Sequence, residues 1–593
     1  MQQESEQIGT DHTSEEEASL WTATTRRRVK LGLIGLLCIV LLVVVPPYFS
    51  ISRYQRRVAV AISGALGRPV HFDNISVHVL PIPGLTITNF VVSENPDFGS
   101  EPVLRANSVE ARLRVSSLWR RRIEVSRISL DSPSINLVRR HEDGRWNLQG
   151  ILMQASQMKS APTAQARAGD APRFPYIEAT DARINIKNGN SKLPFSVKEA
   201  EFALWLPEPN QWRLRMVGKP VRTDTDVNDV GLLRVEATLG RAVDLSNAPI
   251  DLSASWKPTP LGEAAKLTAG YDLGWRGAGS ASATLHGTLG AAKLVTDMHL
   301  LGVHRDEFLP EQNVDINAHC EAATAGLLRS LHDVRCAVPT DNSLTFASVV
   351  EALRRLPAAN PGDDIPATAA RPGVLLVRAE VGNVLDWRTA SAEATLADAP
   401  AEYAAIWARI FLQGIPKQVQ LGGTFHLTAS TEPAETGPRS WDAMLACDCV
   451  LPEPQTGTAT PTDATDKASK PTLNRWLLTL HHQDLEGVSG GSASGFSLSA
   501  HPEPEHGVDA PEEPAAGDAL VAGQISRAGY LLRYPSLAAV QQIAVVLPAL
   551  AQGVPADANG PLAAGGTWDR PPIWTVGSST ERKPVKRKPH RQR

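Results

Sequence analysis

The sequence predicts a mainly β protein with an N-terminal transmembrane helix, an elongated antiparallel β-sheet and a few short helices. Two observations lead to this fold class. One uninterrupted apolar segment lies near the N-terminus, and alternating apolar and polar residues recur over most of the following chain. Such alternation is typical of half-buried strands, because successive side chains of a strand point to opposite faces of the sheet.

The N-terminal apolar segment fits a membrane anchor. Apolar residues run from Leu31 to Val45, and residues 46–51 extend the stretch to about the 20 residues that span a bilayer. A cleaved secretory signal is the alternative, but no A-x-A-like cleavage site follows the apolar run. We therefore predict a retained helix at residues 29–51. Arginines lie on both sides of it, so charge alone does not give its orientation.

Size and charge limit the function classes. A chain of 593 residues is long enough for several domains, yet it carries one apolar span, so nearly all of it lies on one side of a membrane. The formal net charge is −4, with 59 basic and 63 acidic residues. This balance gives no electrostatic case for a nucleic-acid partner.

The cysteines are too few for a disulfide scaffold. Cys320 and Cys336 each share a strand face with neighbouring apolar residues, so a disulfide between them is one interpretation and two separate thiols the other. Cys447 and Cys449 lack a companion pair at zinc-site spacing. We interpret these two as buried thiols of one strand.

Three short helices and an internal repeat interrupt the strand pattern. Helices are predicted at about Arg53–Leu66, Pro400–Leu412 and Ser536–Leu550. The second and third precede similar sequences, LQGIP followed by GGTF and AQGVP followed by GGTW. A strand, helix, turn and strand unit therefore recurs, which favours an elongated repetitive architecture.

Four segments rich in Ala, Pro, Thr or Asp divide the β pattern and are predicted to be linkers or disordered insertions. The predicted organisation is a disordered cytoplasmic tail (1–28), a transmembrane helix (29–51), a first β region (52–153), a linker (154–173), a second β region (174–359), a β region with an apolar helix (373–452), a linker (453–471), a degenerate second repeat (472–568) with a disordered insertion (501–519), and a basic disordered tail (569–593).

The sequence offers little for catalysis. His299 and His304 lie in HLLGVHRDE, which lacks the HExxH arrangement of a zinc helix. Ser156 and Lys159 have SxxK spacing but lie in a predicted linker without the partner motifs. We predict no enzyme activity, no cofactor and no metal site.

The region from the anchor to Leu152 resembles the N-terminal region of the AsmA family. The features that carry the resemblance follow one another in order: ALGRPV at 65–70, LPIPGLTITNFVVSENPDFG at 80–99, VEARLRVSSLWRRR at 109–122, ISLDSPSINLVRR at 128–140 and DGRWNL at 143–148. Weaker similarity continues beyond them. The Pro-rich and basic end departs from the family pattern, in which further strands usually follow.

The resemblance implies a single-pass protein of the bacterial inner membrane, with its bulk in the periplasm and a role in outer-membrane biogenesis and lipid homeostasis. In larger relatives a long, curled sheet carries an apolar groove that is thought to conduct phospholipid. The expected partners are then phospholipid acyl chains, the inner membrane and periplasmic or outer-membrane proteins. The alternative is a non-enzymatic scaffold or assembly factor for outer-membrane proteins.

Alternation alone leaves open whether the apolar strand faces line a groove or pack into a closed core. Trp146 and Asn147 of the DGRWNL block are expected to fix a strand end rather than to contact cargo. The candidate groove residues are Val109, Leu113, Val115, Leu233, Val235, Val314, Ile316, Leu421, Phe425 and Leu427.

Overall fold

The computed structural model describes most of the chain and is mainly β, with few helices. The described residues are 14–44, 55–78, 82–114, 125–140, 142–151, 175–189, 191–208, 211–242, 244–306, 314–340, 351, 353, 373–411, 422–434, 440–450, 474–484, 492–502, 519–526, 529–546, 551–567 and 570–576. The predicted linkers at 154–173 and 453–471 lie outside these ranges.

The helices and strands are as follows. The helices are α1 (Ser14–Val44), α2 (Gln55–Leu66), α3 (Leu261–Ala269), α4 (Ala401–Phe411) and α5 (Leu537–Val546). The strands are β1 (Val70–His71), β2 (Asn74–His78), β3 (Gly84–Val92), β4 (Leu104–Leu113), β5 (Val125–Asp131), β6 (Ser134–Arg139), β7 (Tyr176–Asn188), β8 (Ser191–Glu208), β9 (Gln211–Arg222), β10 (Leu233–Gly240), β11 (Pro249–Pro260), β12 (Trp275–Thr288), β13 (Ala291–Arg305), β14 (Val314–Ala325), β15 (Ser330–Pro339), β16 (Val374–Val381), β17 (Ala390–Pro400), β18 (Gly422–Thr431), β19 (Ser440–Val450), β20 (Asn474–Asp484), β21 (Ser492–Pro502), β22 (Ala519–Ser526), β23 (Tyr530–Tyr534), β24 (Leu562–Gly566) and β25 (Ile573–Val576).

Helix α1 begins earlier than predicted. It starts at Ser14, so residues 14–28, predicted to be disordered, are helical. The sequence Ser-Glu-Glu-Glu at this point explains the difference, since Ser followed by Glu three residues later is typical of a helix N-terminus. No helix within the described ranges is long and apolar enough to cross a membrane. Residues 45–51 of the predicted anchor lie outside those ranges.

The described strands belong to two units. Unit 1 comprises residues 1–138, 146–190 and 199–209, and unit 2 comprises residues 139–145, 191–198 and 210–593. The units exchange segments at residues 139–145 and 191–198. Each unit is therefore considered by itself.

The sheet of unit 1 contains a parallel pair, which the all-antiparallel prediction missed. Strand β4 pairs with β3 on one side and with both β5 and β6 on the other. Because β6 continues along β4 instead of pairing along β5, the outer edge of β5 stays available. Strand β7 pairs there in parallel, with Arg127 opposite Tyr176 and Asp131 opposite Thr180.

A buried polar network joins three separate sequence motifs of unit 1. Arg68 of ALGRPV lies 3.2 Å from a carboxylate oxygen of Glu94, and Asn147 Nδ2 of DGRWNL donates to the other oxygen at 2.6 Å. Asn147 also donates to Asn136 O and accepts a hydrogen bond from Val138 N. Its side chain therefore fixes strand β6, as expected from the sequence.

Unit 2 is built on a regular antiparallel sheet. From β9 to β25, each strand pairs with the next one along the chain. All odd-numbered strands therefore run in one direction and end at the same side of the sheet. We call this the helix side, because α3 follows β11, α4 follows β17 and α5 follows β23. The opposite side, where even-numbered strands end, is called the hairpin side.

The structure confirms the three predicted short helices as α2, α4 and α5. The repeated strand, helix and strand unit is also present, as β17-α4-β18 and β23-α5-β24. The GGT motifs nevertheless differ in position, because Gly422 and Gly423 begin β18 whereas Gly565 and Gly566 end β24. A third unit of this kind, β11-α3-β12, was not predicted.

The C-terminal region contains one more strand than the sequence predicted. Residues 569–593 were interpreted as a disordered tail, but Ile573–Val576 form β25, paired with β24. The β-branched and aromatic sequence IWTV favours a strand, and Leu562 of β24 lies opposite Val576. Residues 577–593 lie outside the described ranges.

The buried network of unit 1 predicts a large cost for removing Asn147. The Asn147→Ala variant leaves the Glu94 carboxylate without its 2.6 Å donor and should lower local stability around β6 by about 2–4 kcal/mol. Hydrogen exchange of the β6 amides measures this loss. The matched Asn107→Ala change, at an exposed position of β4, should leave exchange unchanged, and equal effects of the two variants would contradict the account.

Candidate functional site: the apolar face of unit 2

One residue from each of twelve neighbouring strands forms a continuous line across unit 2. In antiparallel pairing, directly opposed residues share a face of the sheet. We call this line the central row: Met216, Val235, Ala254, Ala283, Thr296, Cys320, Cys336, Val377, Ala394, Ala429, Ala443 and Leu480. At a strand spacing of about 4.8 Å, the row is roughly 50 Å long.

The central row is accessible along its whole length. Every member is half-buried, neither fully covered nor fully exposed. Only Thr296 carries a hydroxyl group, and no member carries a charge. A second row crosses β16 to β20, displaced from the central row by two residues towards the helix side. It consists of leucine only: Leu375, Leu396, Leu427, Leu445 and Leu478.

The opposite face of the same strands is polar and carries cross-strand ion pairs. These pairs are Arg215–Glu236, Asp251–His286, Lys293–Glu321, Asp297–His319, Arg378–Glu393 and Asp442–His481. The hydrogen bond from Lys293 lowers the pKa of Glu321. Exposed ion pairs contribute little stability, but they mark where this face meets water. At β14 to β16 the same face is covered, because His319, Leu376 and Arg378 are buried. The sheet of unit 2 is therefore amphipathic.

Helices cover the apolar face along the helix side. Ile406 of α4 and Leu261 of α3 pack in one cluster with Val303 and Val314. A larger cluster joins Phe425, Cys447 and Trp476 of the sheet to α4 and α5, including Val540 and Ile543. The apolar face is consequently a closed core near the helix side and half-open along the central row.

The predicted groove residues of unit 2 fall on both parts of this face. Val235 lies in the central row, and Leu233 lies two residues away on β10; both are half-buried. Val314, Ile316, Phe425 and Leu427 instead belong to the clusters beneath the helices. Phe425 has only 5% of its surface exposed. These four positions contribute to closed packing.

The remaining predicted groove residues do not join the central row. Val109 is buried and Leu113 is half-buried, and both lie in strand β4 of unit 1. Val115 and Leu421 lie outside the described residues.

The sequence interpretation missed most of the central row, especially its alanines. Ala254, Ala283, Ala394, Ala429 and Ala443 alternate with polar residues, and this alternation was the signal available. Large apolar residues were preferred because they indicate a buried face most strongly. Small side chains matter here for another reason, since they leave space above the sheet.

Both cysteine pairs are joined in the structure. Cys320 and Cys336, opposed on β14 and β15, form a disulfide within the central row. Cys447 and Cys449 were interpreted as separate buried thiols, but their sulfur atoms are also bonded. Residues two apart in a strand point to the same face, which brings these two thiols together.

The histidines examined for metal binding have other contacts. His299 Nδ1 lies 2.8 Å from Asn317 Oδ1, and His304 Nδ1 lies 2.7 Å from Gly302 O. His481 and His482 are adjacent in β20 and point to opposite faces: His481 contacts Asp442, and His482 stacks on Trp441. Among the described residues, no three His, Cys, Asp or Glu side chains are grouped as metal ligands.

The cross-strand disulfide gives a direct test of this register. With a sequence separation of 16 residues, replacing Cys320 and Cys336 by serine should lower the free energy of unfolding by about 3 kcal/mol. Denaturant unfolding measures the change, and Cys38→Ser is the control. Alkylation of Cys320 and Cys336 in the oxidised protein without a reductant would contradict the pairing.

Comparison with known proteins identifies the N-terminal part of the chain. Residues 25–203 match the model of the AsmA family. No curated protein and no solved structure matches the chain. The matched region includes Arg68, Glu94 and Asn147, whose side chains form the buried network of unit 1. On the basis of this match, residues 25–203 of the chain are similar to the AsmA family.

Proposed function

We propose that this protein binds phospholipid acyl chains on the apolar face of unit 2 and handles or transports them in the bacterial cell envelope. The observation that carries the proposal is the central row, which is uncharged and half-exposed across twelve strands. Similarity of residues 25–203 to the AsmA family and the mainly β fold are consistent with it.

The physical argument concerns the cost of moving lipid through water. Each methylene group that leaves water for an apolar surface gains about 0.8 kcal/mol, so a 16-carbon chain gains on the order of 12 kcal/mol. An uncharged row about 50 Å long could shelter such chains at many neighbouring positions. Lipid would then move between similar sites without crossing water.

The proposed location follows from the same function. We place the protein in the inner membrane, anchored by residues 29–51, with residues 55–593 in the periplasm. There it would contribute to outer-membrane biogenesis and lipid homeostasis. An oxidising periplasm would also allow the Cys320–Cys336 disulfide to persist.

The decisive experiment for lipid binding compares two neighbouring residues of β11. Ala254 lies in the central row, whereas Ser253 is exposed on the polar face. The full chain is purified in detergent and washed until loosely associated lipid is removed. The phospholipid that stays bound to the protein is then quantified by mass spectrometry. Ala254→Asp should retain measurably less lipid than the wild type, because a carboxylate on an acyl-chain surface is costly to desolvate, and Ser253→Asp should retain as much as the wild type.

The result also separates the two candidate functions. An empty wild-type protein that is folded by circular dichroism would contradict the lipid proposal and favour a scaffold that acts through protein contacts. Equal lipid loss in both aspartate variants would also contradict it. Phe425→Asp is unsuitable as the main test, because Phe425 is part of the closed core and its variant is expected to unfold.

Membrane anchoring is tested separately. The double variant Leu36→Arg and Val40→Arg should be released from the membrane fraction on carbonate extraction, since each arginine costs about 2.5–3.5 kcal/mol at the centre of a membrane-spanning helix. Val60→Arg, at an exposed apolar position of α2, is the control and should stay membrane-bound. Release of the wild-type chain by carbonate would contradict the anchor.

A further inference from the structure

The geometry points to an anion subsite at the hairpin side of unit 2, where Arg139 and Arg329 would hold the phosphate of a lipid head group. This inference rests on the proposed function and extends it from acyl chains to the polar end of the same lipid. The site is formed by the 139–145 segment of unit 2 and by the turn between β14 and β15.

Two arginines converge on one glycine. A methyl group placed on Gly144 would lie 3.5 Å from Arg139 Nη2 and 3.5 Å from Arg329 Cδ. Arg139 Nε donates to Gly144 O at 3.2 Å, which fixes its guanidinium against this backbone. Gly144 has a φ of +70°, so its conformation favours the residue without a side chain.

The two arginines differ in exposure, as the floor and the rim of a binding site would. Arg139 has 3% of its surface exposed, whereas Arg329 is exposed. Burial, and secondarily the charge of Arg329, lower the pKa of Arg139. The two like charges repel each other, and an anion bound between them would relieve that repulsion.

Two acidic residues lie in the 139–145 segment: Glu142 is exposed, and Asp143 is already engaged. Both Arg140 and Arg145 hold the carboxylate of Asp143, with Arg140 Nε at 2.8 Å from Asp143 Oδ1. These contacts hold the pKa of Asp143 well below its usual value. With Arg139, Arg140 and Arg145 against Glu142 and Asp143, the segment keeps one positive charge in excess beside Arg329.

The position relative to the apolar face indicates a lipid rather than a soluble anion. Leu328, directly before Arg329, packs against the cluster of Ile250, Leu285 and Ala292 at the hairpin side of that face. Val384 N donates to Arg329 O, so the turn between β16 and β17 is hydrogen-bonded to the turn between β14 and β15 at the hairpin side. A phospholipid whose phosphate is bound here would have its acyl chains directed towards the central row. Guanidinium groups suit phosphate because they form paired, charge-assisted hydrogen bonds.

The test uses two probes with identical acyl chains, phosphatidylglycerol and diacylglycerol, of which only the first carries a phosphate, as part of a phosphoglycerol head group. The full chain in a neutral detergent is offered both, and bound lipid is quantified by native mass spectrometry. The wild-type protein should prefer phosphatidylglycerol by about tenfold or more. Arg329→Gln should remove most of this preference, and Arg329→Lys should keep part of it.

Controls separate the possible failures. Arg234→Gln removes an exposed arginine on the polar face of β10 and should leave the preference intact; an equal loss there would overturn the subsite. Equal capture of both lipids by the wild-type chain would also overturn it while leaving the acyl-chain proposal standing. Capture of neither lipid would refute the proposed function itself. Inorganic phosphate that binds through Arg329 without affecting lipid preference would assign the site to free anion instead.

Discussion

The architecture of unit 2 depends on the pairing register of its antiparallel strands. Side chains alternate between faces with a period of two, so a slip of one residue would move charged residues onto the apolar face. Directly opposed pairs such as Val377–Ala394 and Arg378–Glu393 show the result, with apolar residues on one face and an ion pair on the other. Register thus separates an apolar surface from a polar surface across many strands.

The connections between strands give this face two unlike sides. Long connections with helices α3, α4 and α5 follow odd-numbered strands, whereas tight turns such as Leu289–Gly290 follow even-numbered ones. Most irregularities in pairing, for example between Leu396 and Ala399, lie near the helix side, whereas those of β14 with β15 and of β15 with β16 lie near the hairpin side. Such bulges increase local twist and let the strand ends bend towards the covering helices. Closed packing and half-open surface therefore coexist on one sheet.

Much of this fold could be predicted from the sequence, because alternation and helix boundaries are local signals. The short helices α4 and α5 were found from apolar residues followed by Gly and Pro. Helix α3 was missed because LGEAAKLTA is short and directly follows a strand ending in Pro260. Strand β25 was missed because Pro571 and Pro572 precede it and a basic sequence follows.

The candidate site was harder to predict, because alternation does not show what covers a face. Val235 and Phe425 have the same pattern in the sequence, yet Val235 is half-exposed and Phe425 is buried under α4 and α5. Contacts between residues distant in sequence could not be predicted either. Arg68, Glu94 and Asn147 lie in three separate motifs, and only the folded chain shows that they form one network.

The central claim, a continuous lipid-bearing surface, is tested most directly by photo-crosslinking in living cells. A benzophenone amino acid is placed in turn at Val235, Val377 and Leu480 of the central row, and at Arg234 on the polar face as the reference. The account predicts a light-dependent phospholipid adduct at all three central-row positions and none at Arg234. Crosslinks to protein instead of lipid along the row, or lipid adducts equal on both faces, would contradict it.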